Sequence, residues 1–187
     1  MADRSSTDPP ISFSALSDHQ KREAMVEAAR LRARRDLLFW TQWTHPGYQV
    51  GWVHEDICRR LEAFSDAVAN RESPRLILCL PPRHGKSTLL CQRLPVWHLG
   101  RNPDHEIVLA TYGQALADDH SRAARRIRSS AVEWGVWDHL APRKEGKDTA
   151  SEWETTRGTV KVVGVGGPLT GRGAHLLVID DPLKDSE

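Results

Sequence analysis

The sequence predicts an α/β fold, a mainly parallel sheet flanked by helices and entered through a helical N-terminal extension. Three observations predict it. Short apolar runs of strand length recur at residues 75–80, 106–112, 159–165 and 175–180. Helix-favouring stretches separate several of them, the pattern of strand–helix–strand units in which neighbouring strands run parallel. The chain has 187 residues, 39% apolar and 27% charged, which suits one domain with a proper core plus an extension and excludes disorder throughout.

Residues 1–18 are rich in Ser, Asp and Pro and read as a flexible lead-in; the domain is expected to fill 19–187. A helix is predicted over 19–39, free of Gly and Pro, with Asp18 as its N-cap. Its basic residues Lys21, Arg22, Arg30, Arg32, Arg34 and Arg35 spread around the cylinder, so it reads first as a solvated helix and second as a DNA or partner contact. His45-Pro46-Gly47 marks a loop. A second helix over 53–69 carries Ile57, Leu61 and Phe64 on one face. A turn at 70–74 leads to Arg75–Leu80, whose unbroken apolar character suits a strand buried on both faces. A loop over 81–85 opens a helix over 86–99, which Pro95 must kink or end. Strand 106–112 and helix 114–129 follow. Residues 130–155 read as irregular, anchored by Trp134, Trp137 and Trp153. A strand at 159–165, a Gly-rich loop at 166–173 and a strand at 175–180 complete the chain, which has no internal repeat.

A net charge of +1 gives no bulk basic footprint, so any nucleic-acid partner must be met by a local basic face. Cys58, Cys79 and Cys91 form no C-x-x-C pair and read as reduced, packed thiols. The histidines and cysteines show no zinc-ligand spacing. No apolar stretch reaches membrane-span length and the N-terminus lacks signal-peptide character, so the expected location is the cytoplasm.

The most informative segment is Pro81-Pro-Arg-His-Gly-Lys-Ser-Thr88. A strand, a tight loop ending Gly-Lys-Ser and a helix form the standard cradle for a phosphate chain. Gly85 lets the backbone approach a phosphate without a Cβ, and the amides at the helix start point at the anion. Lys86 supplies a cation for the β- and γ-phosphates, and the Ser87 hydroxyl a ligand for Mg²⁺. Pro82, Arg83, His84, Gly85, Lys86, Ser87 and Thr88 are the expected nucleotide-binding residues. The match departs from G-x-x-x-x-G-K-[ST] at position 80, where Leu stands for the first glycine. Downstream, His175-Leu-Leu-Val-Ile-Asp-Asp181 is an apolar run ending in two carboxylates. A nucleotide hydrolase needs one acid for the Mg²⁺ shell, here Asp180, and one to orient or activate water, here Asp181, although Glu is the more usual residue there. Either motif alone is compatible with an ordinary turn; the two in this order are far more specific.

Pro81–Ser87 followed by Gly164-Val-Gly-Gly-Pro-Leu-Thr-Gly-Arg-Gly-Ala-His-Leu-Leu-Val-Ile-Asp-Asp-Pro-Leu-Lys184 resembles the ATPase domain of the large terminase subunits of tailed phages and prophages. Tyr112-Gly-Gln-Ala-Leu-Ala117 and Trp52-Val-His-Glu-Asp-Ile-Cys58 resemble it too, and the likeness covers roughly residues 40–187. The resemblance implies a P-loop NTPase of the ASCE type that uses ATP and Mg²⁺ to drive double-stranded DNA into a procapsid. It implies as partners a small terminase subunit, the portal and further copies in a ring, with no membrane. Such subunits usually carry a C-terminal nuclease domain, which this sequence does not include, so the ATPase domain is expected to be incomplete.

The same resemblance suggests Arg83 as a catalytic arginine reaching the γ-phosphate; a purely phosphate-binding or DNA-facing role is the alternative. Arg172, between two glycines, reads as a nucleotide sensor or subunit contact, or as an exposed residue of a tight connection. Arg122, Arg125 and Arg126 share one helix face by spacing, separate from a buried face at Leu116, Ala123 and Ile127. That cluster either grips DNA or a neighbouring subunit, or is a solvated face paired with Asp118 and Asp119. Trp52 and His54 lie where such motors contact adenine, and His54 reads rather as packing. Two other functions fit the motifs: a helicase-like translocase, and an inactive fragment that binds only nucleotide or DNA.

Overall fold

In the computed structural model, residues 13–167, 169 and 173–183 are described. The N-terminal half is helical: α1 (Asp18–Arg35), α2 (Leu37–Thr44) and α3 (Trp52–Ala69). Ser17, not Asp18, caps α1, in a reciprocal pair with Gln20. The single helix expected over 19–39 breaks at Asp36, whose carboxylate accepts the Phe39 N–H (2.7 Å) and so starts α2 in a new direction. Nor is α1 simply solvated. Arg30 Nε donates to the Trp134 carbonyl (2.7 Å) and Arg34 Nε to that of Val136 (2.8 Å), docking α1 on the segment at 134–136.

The helix after the loop at 81–85 begins at Lys86 and contains a π-helical segment, Thr88–Arg93, before α4 (Leu94–Arg101). The Leu94 N–H bonds Leu89 O, five residues back. The wide turn has a local cause. Pro95 has no N–H for the Cys91 carbonyl and its ring would crowd that group, so the helix widens just ahead of it instead of ending. Residues 94–100 of α4 are all buried, with Trp97 Nε1 donating to the Ala33 carbonyl (3.0 Å).

The sheet holds β1 (Glu106–Thr111), β2 (Glu152–Glu154), β3 (Thr159–Gly164) and β4 (Leu176–Asp180) in the order β2-β3-β1-β4. β1 is parallel to β3 and β4, and β2 is antiparallel to β3, so the sheet is mixed and mostly parallel. The helix α5 (Gln114–Glu133) crosses from β1 and packs on β3 and on the π segment. β2 falls in the stretch expected to be irregular; three residues are too few to display an alternation, although Trp153 at its centre is fully buried. Trp137 meets Trp40 edge-on (5.2 Å) and Trp134 stacks on Trp43 (5.4 Å).

One expected strand is absent. Residues 75–80 run without a ladder partner. Leu78 and Leu80 rest on the core, whereas Ile77 is 86% exposed. Cys79 is also exposed, against the expectation of a packed thiol, while Cys58 and Cys91 are buried. An apolar run predicts burial, but a strand also needs an edge to pair with, and a groove of about 1210 Å³ lined by Leu76, Ile77, Leu78, Leu177 and Ile179 separates this segment from β4. Among the described residues no helix is long and apolar enough to cross a membrane.

Candidate nucleotide-binding site

In a parallel sheet all strands end at one edge, and here Thr111, Gly164 and Asp180 lie in register there. That edge of an open α/β sheet is where ligands are bound. Asp180 is 2% exposed and Asp181, one residue on, is in solvent reach at a left-handed φ of 41°.

The loop at 81–85 reaches this edge from the other side. Lys86 Nζ donates to Asp181 Oδ1 at 2.5 Å and lies 3.3 Å from Asp180 Oδ1. Its ammonium is held above its ordinary pKa, chiefly by the bond to Asp181 and next by the Asp180 charge, against the pull of partial burial. The helical ladder starts with Leu89 N–H donating to Gly85 O (3.0 Å), so the amides of Lys86, Ser87 and Thr88 precede it and face out of the helix N-terminus.

The loop is shaped by two left-handed residues, Arg83 (φ 64°) and Gly85 (φ 76°). The conformation is natural for Gly85 and strained for Arg83, which is exposed. A Cβ on Gly85 would fall 2.8 Å from Tyr48 Oη. Tyr48 is packed behind the loop, and burial pushes its phenol up to about 12. His54 is the second brace. The Gly51 N–H donates to its Nδ1 (2.9 Å), so the proton sits on Nε2, which donates to the His84 carbonyl (3.1 Å). His84 Nδ1 in turn donates to the Pro82 carbonyl (2.8 Å). His54 therefore clamps the loop to the start of α3, while Trp52 beside it is 81% exposed.

No protein-family model matches the chain, and no curated protein matches it. The chemistry of the site rests on its own geometry.

The structure brings Lys86, Asp180 and Asp181 together; it does not gather the basic cluster. On α5, Arg122 pairs with Asp119 (2.5 Å), and Arg125 turns away to Asp148, donating to its carboxylate (2.9 Å) and its carbonyl (2.8 Å). Arg126 is exposed. The buried face of α5 is set by Ala117, His120, Ala124, Ile127 and Ala131, one residue round from the expected Leu116 and Ala123. Arg172 lies outside the described residues. Cys91 and His120, buried against Asp180, were not singled out by sequence as ligands; they lie 89 and 60 residues before the acid, with no short spacing to mark them.

Proposed function

We propose that the chain binds ATP with Mg²⁺ at the sheet edge and hydrolyses it, as the ATPase part of a terminase-like motor that moves double-stranded DNA into a procapsid. The observation that carries the first step is the Lys86 ammonium between Asp180 and Asp181. A lysine from a Gly-Lys-Ser helix start and two acids from a strand end are the groups that phosphoryl transfer needs, and they meet in one place.

The residues fit the nucleotide and its metal. The helix-start amides and Lys86 match the anionic phosphates. The Ser87 hydroxyl and the Asp180 carboxylate are hard oxygen ligands of the kind Mg²⁺ takes, and Asp180 Oδ1 is buried without a hydrogen-bond partner. The metal, when bound, would neutralise developing charge on the phosphates. Phosphate competes with the carboxylates for Lys86, and an Asp181 released from the lysine becomes free to orient water. Arg83, held exposed in a strained conformation beside the loop, is the candidate for stabilising charge on the transferred group. The DNA-translocation part of the reading rests on the sequence resemblance alone. So do the small subunit, the portal and the ring of copies.

The test is Mg²⁺-dependent ATP binding and turnover by the purified chain. Lys86→Ala should lose both, by at least about tenfold in affinity. Asp181→Asn should keep binding and lose turnover by about 10²-fold or more. A Lys86→Ala protein that binds ATP as tightly as the parent sinks the assignment. Binding with no turnover in the parent would favour the second reading, a nucleotide-binding fragment.

A further inference from the structure

Three groups from three elements converge beneath the sheet edge: Cys91 from the π segment, His120 from α5 and Asp180 from β4. One ligand atom from each lies within 4.8 Å of the others, and all three residues are more than nine-tenths buried. One polar atom in this cluster, His120 Nε2, has no hydrogen-bond partner, and Asp180 Oδ1 has no well-directed one beside its ion pair with Lys86 at 3.3 Å. His120 Nε2 stands 3.8 Å from Asp180 Oδ2, beyond hydrogen-bond reach. Buried polar atoms are nearly always paired, so an unpartnered imidazole nitrogen among a buried thiol and a buried carboxylate calls for a ligand.

We propose that Cys91, His120 and Asp180 form a site for a thiophilic divalent cation of the zinc class. A sulfur, an imidazole nitrogen and a carboxylate oxygen are the donor set of tetrahedral zinc, with the fourth position left for water or substrate. Mg²⁺, which wants six oxygens in an octahedron, does not suit it. Charge favours the same cation. On binding, the Cys91 S–H bond breaks as the sulfur–metal bond forms, and the proton leaves to solvent. A dication with one thiolate, one carboxylate and a neutral imidazole is neutral overall, which is what a buried site tolerates. Gln92 supplies the outer contact, its amide 3.2 Å from His120 Nδ1. Gln92 Nε2 faces the ring; turning that amide over, so that its oxygen faces Nδ1 instead, lets Nδ1–H donate to Gln92 and fixes the Nε2 lone pair on the metal. The site shares Asp180 with the proposed nucleotide site. That a bound zinc ion would withdraw this carboxylate from ATP-Mg²⁺ rests on the nucleotide reading; cation binding itself does not.

The test uses the full metal-free chain and Co²⁺, a coloured stand-in for zinc, without nucleotide. One equivalent should give tetrahedral visible bands and a thiolate-to-cobalt charge-transfer band, with about one proton released per metal at a pH below the thiol's pKa. Zn²⁺ should displace the cobalt. Cys91→Ala and His120→Gln should weaken binding more than about 100-fold and Gln92→Ala about 10–100-fold. Cys58→Ala and Cys79→Ala should leave it unchanged. The two ligand variants are compared by circular dichroism first; if Cys91→Ala does not fold, His120→Gln decides. Absence of the charge-transfer band in the parent, its survival in His120→Gln, or its loss in Cys79→Ala overturns the proposal. Since no nucleotide is present, failure of ATP binding would leave this result standing.

Discussion

Lys86 Nζ, 2.5 Å from Asp181 and 3.3 Å from Asp180, sets its ammonium against a carboxylate that is 98% withdrawn from solvent. The two contacts differ in weight. Asp181 is exposed and its pairing contributes little; Asp180 is buried, and removing Lys86 leaves its charge uncompensated. Lys86→Ala should therefore lower unfolding stability by about 2 kcal/mol, well beyond a surface truncation. Adding Asp180→Asn should recover most of that stability in a denaturant melt without recovering ATP binding. A double variant as unstable as Lys86→Ala would mean the lysine acts through packing.

Gly85 tests the brace behind the phosphate loop. Its φ of 76° costs a side chain about 1 kcal/mol, and a Cβ would press on Tyr48 Oη at 2.8 Å. Gly85→Ala should lose both stability and nucleotide affinity. Tyr48→Phe in the same chain removes the atom in the way, so the pair should recover part of the loss and leave the backbone part. Equal midpoints for Gly85→Ala with and without Tyr48→Phe would show that the tyrosine does not set the loop.

How much of this was legible in the sequence depends on the range of the interaction. Strands β1, β3 and β4 are readable from apolar runs, and the helices from their periodicity. The two acids are readable because a strand end puts chemistry at a known edge, and Lys86 because a Gly-Lys-Ser run opens a helix. Residues 75–80 carry the same apolar signal as a strand, but pairing depends on a neighbour that no local pattern reports. The break at Asp36 looks like a charged residue inside a helix until its carboxylate is seen capping Phe39. Arg125 belongs to an apparent basic face by spacing, yet its partner Asp148 lies in an irregular stretch. Cys91 and His120 escape a spacing rule because ligands from separate elements meet only through the fold.

A histidine pair at the opposite end of the sheet makes stability depend on pH. His98 is fully buried, bonded to Ser65 Oγ (2.8 Å) and His105 Nδ1 (3.0 Å), and burial depresses its pKa to about 3; His105, stacked on His175, is lowered too. Above pH ~6.5 both states hold these rings neutral, so this contribution is constant. Below it the unfolded chain takes up protons that the folded chain refuses, and stability falls by about 1.4 kcal/mol per pH unit for His98 alone, down toward its folded pKa. The difference in urea midpoint between the parent and His98→Gln should shift against the parent from pH 6.5 to 5. A difference independent of pH would mean that His98 is protonated in the fold.

The two carboxylates paired with α5 arginines, Asp148 and Asp119, should differ in weight, and their contrast decides which arginines are available to a partner. Arg128 is 2% exposed, lies over the Trp153 ring and pairs with the Asp148 carboxylate (3.1 Å), while its Nε and Nη1 have no hydrogen-bond partner. Asp148→Ala strands that buried guanidinium and also releases Arg125, so it should cost about 3 kcal/mol. Asp119→Ala, which frees an exposed Arg122, should change stability by less than about 0.5 kcal/mol. If α5 meets DNA, Arg122→Ala and Arg126→Ala should each weaken binding to duplexes of any sequence and lower the salt slope by about one. Arg125 is committed to Asp148, so Arg125→Ala should act first on stability. Affinity lost only in Arg125→Ala, in step with its melting midpoint, would make α5 a scaffold and move the DNA contact elsewhere.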